Sequence, residues 1–328
     1  MIDDVIALAC AGGGYASRGR LVRSGLTDVD IKQAVRRGVL VRLRHGTYAL
    51  RSVHDPLTPE GRHRLLARSV LSRLGEGYVL SHHSAAVFHT NTSFGIDLDL
   101  VHVTRLDGRK SRREAGVQFH APSIDSADVV EVDGLVVVAP ARAVMESACA
   151  TGVEPALVTI NSALHAGVVA PDELVEWADR ARCWPGSRNA RLAMRLADPG
   201  CESVGESRSM YLFFRENIPR PDTQVELFAS DGRLVGRTDF DWPAHRHVGE
   251  FDGLFKYGRV SSGLAPGEVV VREKRREDGI RELGRGVSRW TWSDLGVDRR
   301  QVTAQRILRG LETSRRLYAR NSTTIPLA

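Results

Sequence analysis

The stretch GRTDFDWPAHRHVGEFDG, residues 236–253, places four carboxylates on two neighbouring β-rich runs. Asp239 and Asp241 stand two apart on the first run, and Glu250 and Asp252 two apart on the second. In a strand, residues two apart share a face, so each pair points one way where a sheet would ordinarily bury apolar groups. Buried acids without partners are costly, and a gathering of this kind calls for a cation, either a metal ion or arginine. Arg237, Arg246, Arg275 and Arg276 are the nearby candidates for the second role.

Around this stretch the order of elements is legible. ESVGESRSMYLFFRENI (202–218) reads as a helix with Tyr211, Leu212, Phe214 and Ile218 inward. TQVELFA (223–229) and LVGRTDFDW (234–242) flank SDGR, whose Asp-Gly pair is a strong hairpin signal. A third strand, RHVGEFD (246–252), follows. The charged helix at 270–284, the strand GVSRWTW (286–292) and a terminal helix from about Arg299 to Arg320 complete the order.

Helix, three strands, helix, strand resembles the core of the restriction-endonuclease-like fold, and in particular its very-short-patch-repair-like branch. The resemblance rests on Glu206, Asp239, EFDG (250–253) and EKRREDGIRELGRGVSRWTWSDL (273–295). It implies that Asp239 and Glu250 are metal-binding acids and that Glu206 is the acid of the first helix. Two such acids on adjacent strands can hold Mg²⁺, which activates water and stabilises charge on a phosphate. One departure stands out: the position two after the strand acid, where the family carries lysine, is Asp252. Asp252 is then a further candidate metal ligand, and Lys256 or Lys274 would have to supply the catalytic cation.

The first fifty residues read differently. DDVIALACA (3–11) predicts a helix stopped by GGG at 12–14, and SRGRLVRSG (17–25) a second one stopped by Gly25. Thr27 is a good N-cap for DVDIKQAVRR (28–37), with Asp30 at N3 and Gly38 as the stop. VLVRL (39–43) and TYAL (47–50) then form a hairpin across RHG. Helices followed by such a hairpin are the layout of a winged helix-turn-helix. On the third helix Ile31, Ala34 and Val35 face inward, leaving Lys32, Gln33, Arg36 and Arg37 to enter a major groove. Arg42 and Arg44, with His45, sit where a wing meets phosphates. Nine Arg and Lys against four acids over residues 1–51 hold most of the chain's formal charge of +6. Arginine favours phosphate and base-edge contacts, so double-stranded DNA is the expected partner.

GGYASRGRLVRSGLTDVDIKQAVRRGVLVRLRHGTYAL (13–50) resembles the N-terminal domain of AbiEi-type antitoxins of type IV toxin-antitoxin systems. This implies a module that represses its own operon with no cofactor, and a nucleotidyltransferase-like toxin as partner. The alternative is a Mg²⁺-dependent DNA endonuclease targeted by the same winged helix.

Between these regions lie a basic amphipathic helix (58–75), a strand running into a helix at YVLSHHSAAVFH (78–89), and alternating runs at 97–105 and 116–121. A strand, turn and helix follow over 129–150, and then mostly helical sequence to about Leu196. Adjacent His82 and His83 would face opposite ways on a strand, a poor joint ligand set, so packing or capping is their expected role. The chain is thus predicted to be α/β in the α+β sense: a winged helix over 1–55, a mixed α/β region over 56–200 and an endonuclease-like domain over 201–328. The scattered Cys10, Cys149, Cys183 and Cys201 are expected to be buried free thiols. No apolar run approaches the roughly 20 residues of a spanning helix, and MIDDVIALA carries acids where a leader needs positive charge. A cytoplasmic protein is expected.

Overall fold

The computed structural model describes residues 13–121, 124–253 and 266–319. The helix expected over 3–11, Cys10 and Lys256 lie outside these residues. The fold is mixed α/β of the α+β class, with three separate sheets. The chain packs into two compact units. One runs to Thr159 and includes Ala166–Arg191; the other holds Ile160–His165 and the residues from Leu192 onward.

The first unit opens with β1 (Tyr15–Ser17), α1 (Arg18–Arg23), α2 (Asp28–Arg36), β2 (Leu40–Arg44) and β3 (Thr47–Leu50). Two helices and a hairpin thus fall where the sequence places them, while β1 is an addition. It pairs antiparallel with β3, giving a three-stranded sheet in the order β1-β3-β2. Leu21, Leu26, Ile31, Ala34, Leu40 and Leu50 form its apolar centre, with Val35 against it. Gly25 and Gly38 end the two helices with φ of 95° and 75°, a conformation that strongly favours glycine.

The same unit continues through α3 (Arg51–His54), α4 (Pro59–Leu74), β4 (Tyr78–Leu80), α5 (His82–Thr90), β5 (Val101–Arg105), β6 (Arg112–Glu114), β7 (Val117–His120), β8 (Val129–Val132), β9 (Leu135–Val138) and α6 (Pro140–Cys149). Here VVEVDGLVVV forms two antiparallel strands, with Asp133 and Gly134 both at positive φ in the turn, rather than the single strand expected. The six strands pair in the order β6-β7-β5-β4-β9-β8. Every side chain of β5 is buried, because it lies between β7 and β4; the sheet's centre suppresses the alternation its sequence suggests. Val101 and Val103 join the main apolar cluster of this unit, together with Leu80, Phe119 and Val137. Helices α7 (Val153–His165), α8 (Pro171–Arg180) and α9 (Ser187–Leu196) complete the expected helical stretch.

The second unit carries α10 (Val204–Arg215), β10 (Asp222–Phe228), β11 (Leu234–Trp242), β12 (His247–Asp252), α11 (Pro266–Glu282), β13 (Gly286–Thr291) and α12 (Arg300–Ala319). The element order is the expected one. Strands β10 to β12 are antiparallel neighbours, and β13 returns parallel to β12 through α11, since parallel neighbours need a crossover. One sheet face packs on α10, whose Phe213 meets Phe240, Trp242 and Trp290 at ring distances of 5.1, 5.3 and 5.6 Å. The inward set of α10 is therefore Met210, Leu212 and Phe213, while Phe214 is exposed, contrary to expectation. Gly249 is fixed by this packing: a Cβ there would lie 2.5 Å from the Trp290 ring. On the other face Leu227, Val248 and Ile280 cluster, the last from α11.

The cysteines depart from expectation in one case. Cys201 is buried and Cys149 half-buried, but Cys183 is exposed.

Candidate nucleic-acid interface

Helix α2 is held from its first turn. Thr27 Oγ1 accepts the Asp30 N–H at 3.2 Å, and the Asp30 carboxylate accepts the Thr27 N–H at 2.8 Å, a reciprocal capping box. That hydrogen bonding lowers the pKa of Asp30. Arg18 reaches across from α1 to Asp28 with a bidentate contact of 2.7 and 2.6 Å, so it is committed within the fold. With Ile31 and Ala34 buried, Lys32, Gln33, Arg36 and Arg37 stand exposed, as their helical spacing requires. Arg42 is also exposed, on β2, with Nη2 3.0 Å from His45 Nδ1.

Arg44 is placed otherwise. Its Nη2 donates to the Ala115 carbonyl at 3.0 Å, in the turn between β6 and β7, and burial lowers its pKa. The hairpin's second arginine is therefore engaged by the neighbouring sheet, while Arg42 keeps its exposure.

The carboxylates of 236–253 do share a face. The register sets Asp241 opposite Val248, so Asp239, Asp241, Glu250 and Asp252 all point to the side covered by α11. Arginine meets two of them there. Glu250 is paired with Arg276 and, at 3.0 Å, with Arg289; Asp241 is paired with Arg285. Asp239 Oδ2 accepts the Phe251 N–H at 2.8 Å. Arg237 turns to Glu202 at 2.9 Å instead. Glu206 is buried at the start of α10, where it accepts from the Ser203 hydroxyl at 2.6 Å, the Glu202 N–H at 2.8 Å and Gln224 Nε2 at 3.0 Å. These bonds give it a capping role. Lys274 is exposed on α11. Among the described residues, Asp239, Glu250 and Asp252 do not form a set of three converging ligand atoms.

A different titratable cluster, which the sequence did not suggest as a site, lies in the first unit. His82 opens α5 with φ of 50°, His102 is the second residue of β5, and His120 ends β7. Because β5 and β7 are parallel neighbours with Thr104 opposite His120, the two strand histidines lie on one face. His102 Nδ1 is 2.9 Å from His120 Nε2, and the His82 ring stacks on His120 at 3.5 Å. Buried Glu146 of α6 accepts the His82 backbone N–H at 3.0 Å and lies 3.2 Å from His82 Nδ1. Arg142 bridges Glu146 at 2.8 Å and Asp128 at 2.5 Å. Burial, reinforced by the surrounding histidines, pushes His102 down to about 2 and His120 down to about 3. Burial would raise Glu146, but His82 and Arg142 outweigh it and hold the carboxyl at about 2. His83 points elsewhere, its Nδ1 2.7 Å from Ser147 Oγ, and burial takes it down to about 4. Packing is thus the observed role of His83. In the sequence the three histidines stand apart, in SHH (81–83), HVT (102–104) and QFH (118–120), and nothing local ties them together.

No family model matches the chain. Two uncharacterized proteins from two strains of Mycobacterium tuberculosis are each 28% identical to it over 297 residues, which is 88% of this chain and 99% of theirs. A crystal structure of another Mycobacterium tuberculosis protein superposes with a TM-score of 0.37 at 15% identity, over 69% of this chain and 87% of that one.

Proposed function

We propose that the protein is a DNA-binding transcriptional regulator that reads a duplex with the outer face of α2. One observation carries this reading: Lys32, Gln33, Arg36 and Arg37 are exposed together on a capped helix whose opposite side is packed, with exposed Arg42 on the adjoining hairpin. Such a surface combines phosphate neutralisation with side chains able to reach base edges. The resemblance of residues 13–50 to AbiEi-type antitoxins supports a narrower version, in which the DNA is the operator of its own operon and the partner a nucleotidyltransferase-like toxin. A cytoplasmic location goes with that role. No helix among the described residues is long and apolar enough to cross a membrane.

A gel shift with DNA from upstream of the gene tests the reading. Retarded DNA that is released by Arg36→Ala with Arg37→Ala supports it; unchanged affinity in the double variant refutes it. The Mg²⁺-dependent endonuclease gains no comparable support. A metal at Asp239 and Glu250 would have to displace the Arg276 and Arg289 guanidiniums that already offset Glu250.

A further inference from the structure

We propose that His82, His102 and His120 form a binding site for a divalent transition-metal ion of the zinc class. One ring nitrogen from each lies within 4.8 Å of the others, the only such grouping among the described residues. Zinc takes imidazole nitrogen at about 2.0–2.1 Å in a tetrahedron, which sets neighbouring ligand atoms about 3.3 Å apart. The His102 Nδ1 to His120 Nε2 separation of 2.9 Å is already near that edge. A small outward turn of the two rings would exchange their mutual hydrogen bond for two bonds to one ion.

The elements that carry the ligands are fixed. His102 and His120 sit on paired strands of the six-stranded sheet, and His82 is held over them by its backbone bond to Glu146. Glu146 also faces His82 Nδ1 at 3.2 Å. A carboxylate at one ring nitrogen fixes the tautomer and leaves the other nitrogen as the ligand, the usual support for a metal-bound histidine. Arg142 anchors that carboxylate in turn, through its 2.8 Å contact. Three imidazoles with one orienting carboxylate suit zinc, cobalt or nickel rather than Mg²⁺ or Ca²⁺, which take oxygen ligands.

The site also opens outward. His82, His120 and Glu146 line a cavity of about 470 Å³ together with Ser111, Cys149 and Trp184. Two of the three histidines border this space, and three protein nitrogens leave a fourth coordination position for water or a small ligand, unlike the closed four-ligand sets of structural zinc. Cys149 is not among the converging ligand atoms, although it borders the same cavity.

The full chain, stripped with EDTA and dialysed, is titrated with ZnCl₂ in a calorimeter, and with CoCl₂ while visible absorption is followed. The expected result is one ion per chain, a tetrahedral Co²⁺ spectrum, and at least tenfold weaker binding in His120→Gln and in His102→Asn with unchanged circular dichroism. Glu146→Gln is expected to weaken binding 10- to 100-fold. Should the variants fail to fold, the wild-type chain still decides: in a nitrogen-detected NMR spectrum, Zn²⁺ should shift the ring signals of three histidines. Absence of stoichiometric binding overturns the proposal. So does binding that survives both histidine substitutions, or shifts confined to other histidines.

Discussion

Removing Arg36 and Arg37 should change how steeply DNA affinity falls with salt. Each phosphate neutralised by a cation contributes about −0.9 to the slope of log K against log salt. Lys32, Arg36, Arg37 and Arg42 are exposed on the proposed face, whereas Arg18 is taken by Asp28 and Arg44 donates to Ala115. Four contacts give a slope of about −3.6, so affinity should drop about 150-fold between 50 and 200 mM salt. With Arg36→Ala and Arg37→Ala the slope should fall to about −1.8 and the drop to about 12-fold. Fluorescence anisotropy with a labelled operator duplex measures both. Because the two side chains are exposed, their loss should change stability by no more than about 0.5 kcal/mol, so weakened binding would not reflect unfolding. A double variant that keeps the wild-type slope would refute the assignment of α2 as the DNA-facing helix.

Arg142→Met should destabilise the first unit by about 3–5 kcal/mol in denaturant titration, since it strips Asp128 and Glu146 of a buried partner; a loss below about 1 kcal/mol would contradict that accounting. Thr27→Ala should cost the same unit about 1 kcal/mol through loss of the cap of α2, read in the same titration. His247, buried between Ser314 and Ser288, is pushed down to about 4, chiefly by burial and then by His245. The unfolded chain therefore binds its proton first: the contribution is complete above about pH 6.5 and shrinks by up to about 1.4 kcal/mol per pH unit as pH falls towards 4. His247→Gln should flatten that stretch of the stability profile relative to the native chain. Adding Mg²⁺ should neither raise the melting temperature of the second unit nor produce plasmid nicking; a shift abolished by Asp239→Asn would show that a metal displaces arginine there.

Where local rules operate, the sequence was a sufficient guide. The Thr27 cap, the Gly38 stop and the 3.6-residue spacing of Ile31 and Ala34 each act within one turn of chain, so α2 and its exposed face could be read directly. The Asp-Gly hairpin and the order of elements from Val204 to Ala319 were legible for the same reason. What failed depends on partners far away in sequence. Phe213 rather than Phe214 faces the sheet because Phe240, Trp242 and Trp290 converge on it. That acids two apart need a cation followed from spacing, but the partners Arg285 and Arg289 are supplied by β13 and the turn before it, while of the expected arginines Arg276 engages Glu250. The histidine cluster was hidden more completely. Reading His82 against His83 compared neighbours, whereas the relevant partners arrive through the parallel pairing of β5 with β7 and the placement of α5 above them.

The contact from Arg44 ends on a main-chain oxygen, that of Ala115. An acceptor of that kind is present whichever amino acid occupies the position, so drift in the side chains of the 112–120 ribbon would leave the anchorage intact. What could undo it is a change in the path of the ribbon itself, by insertion, deletion or relaxation of the left-handed turn at Ala115, where φ is 48°. Homologous chains that lengthen this ribbon should therefore release the arginine at this hairpin position, whereas chains that only recolour it should not.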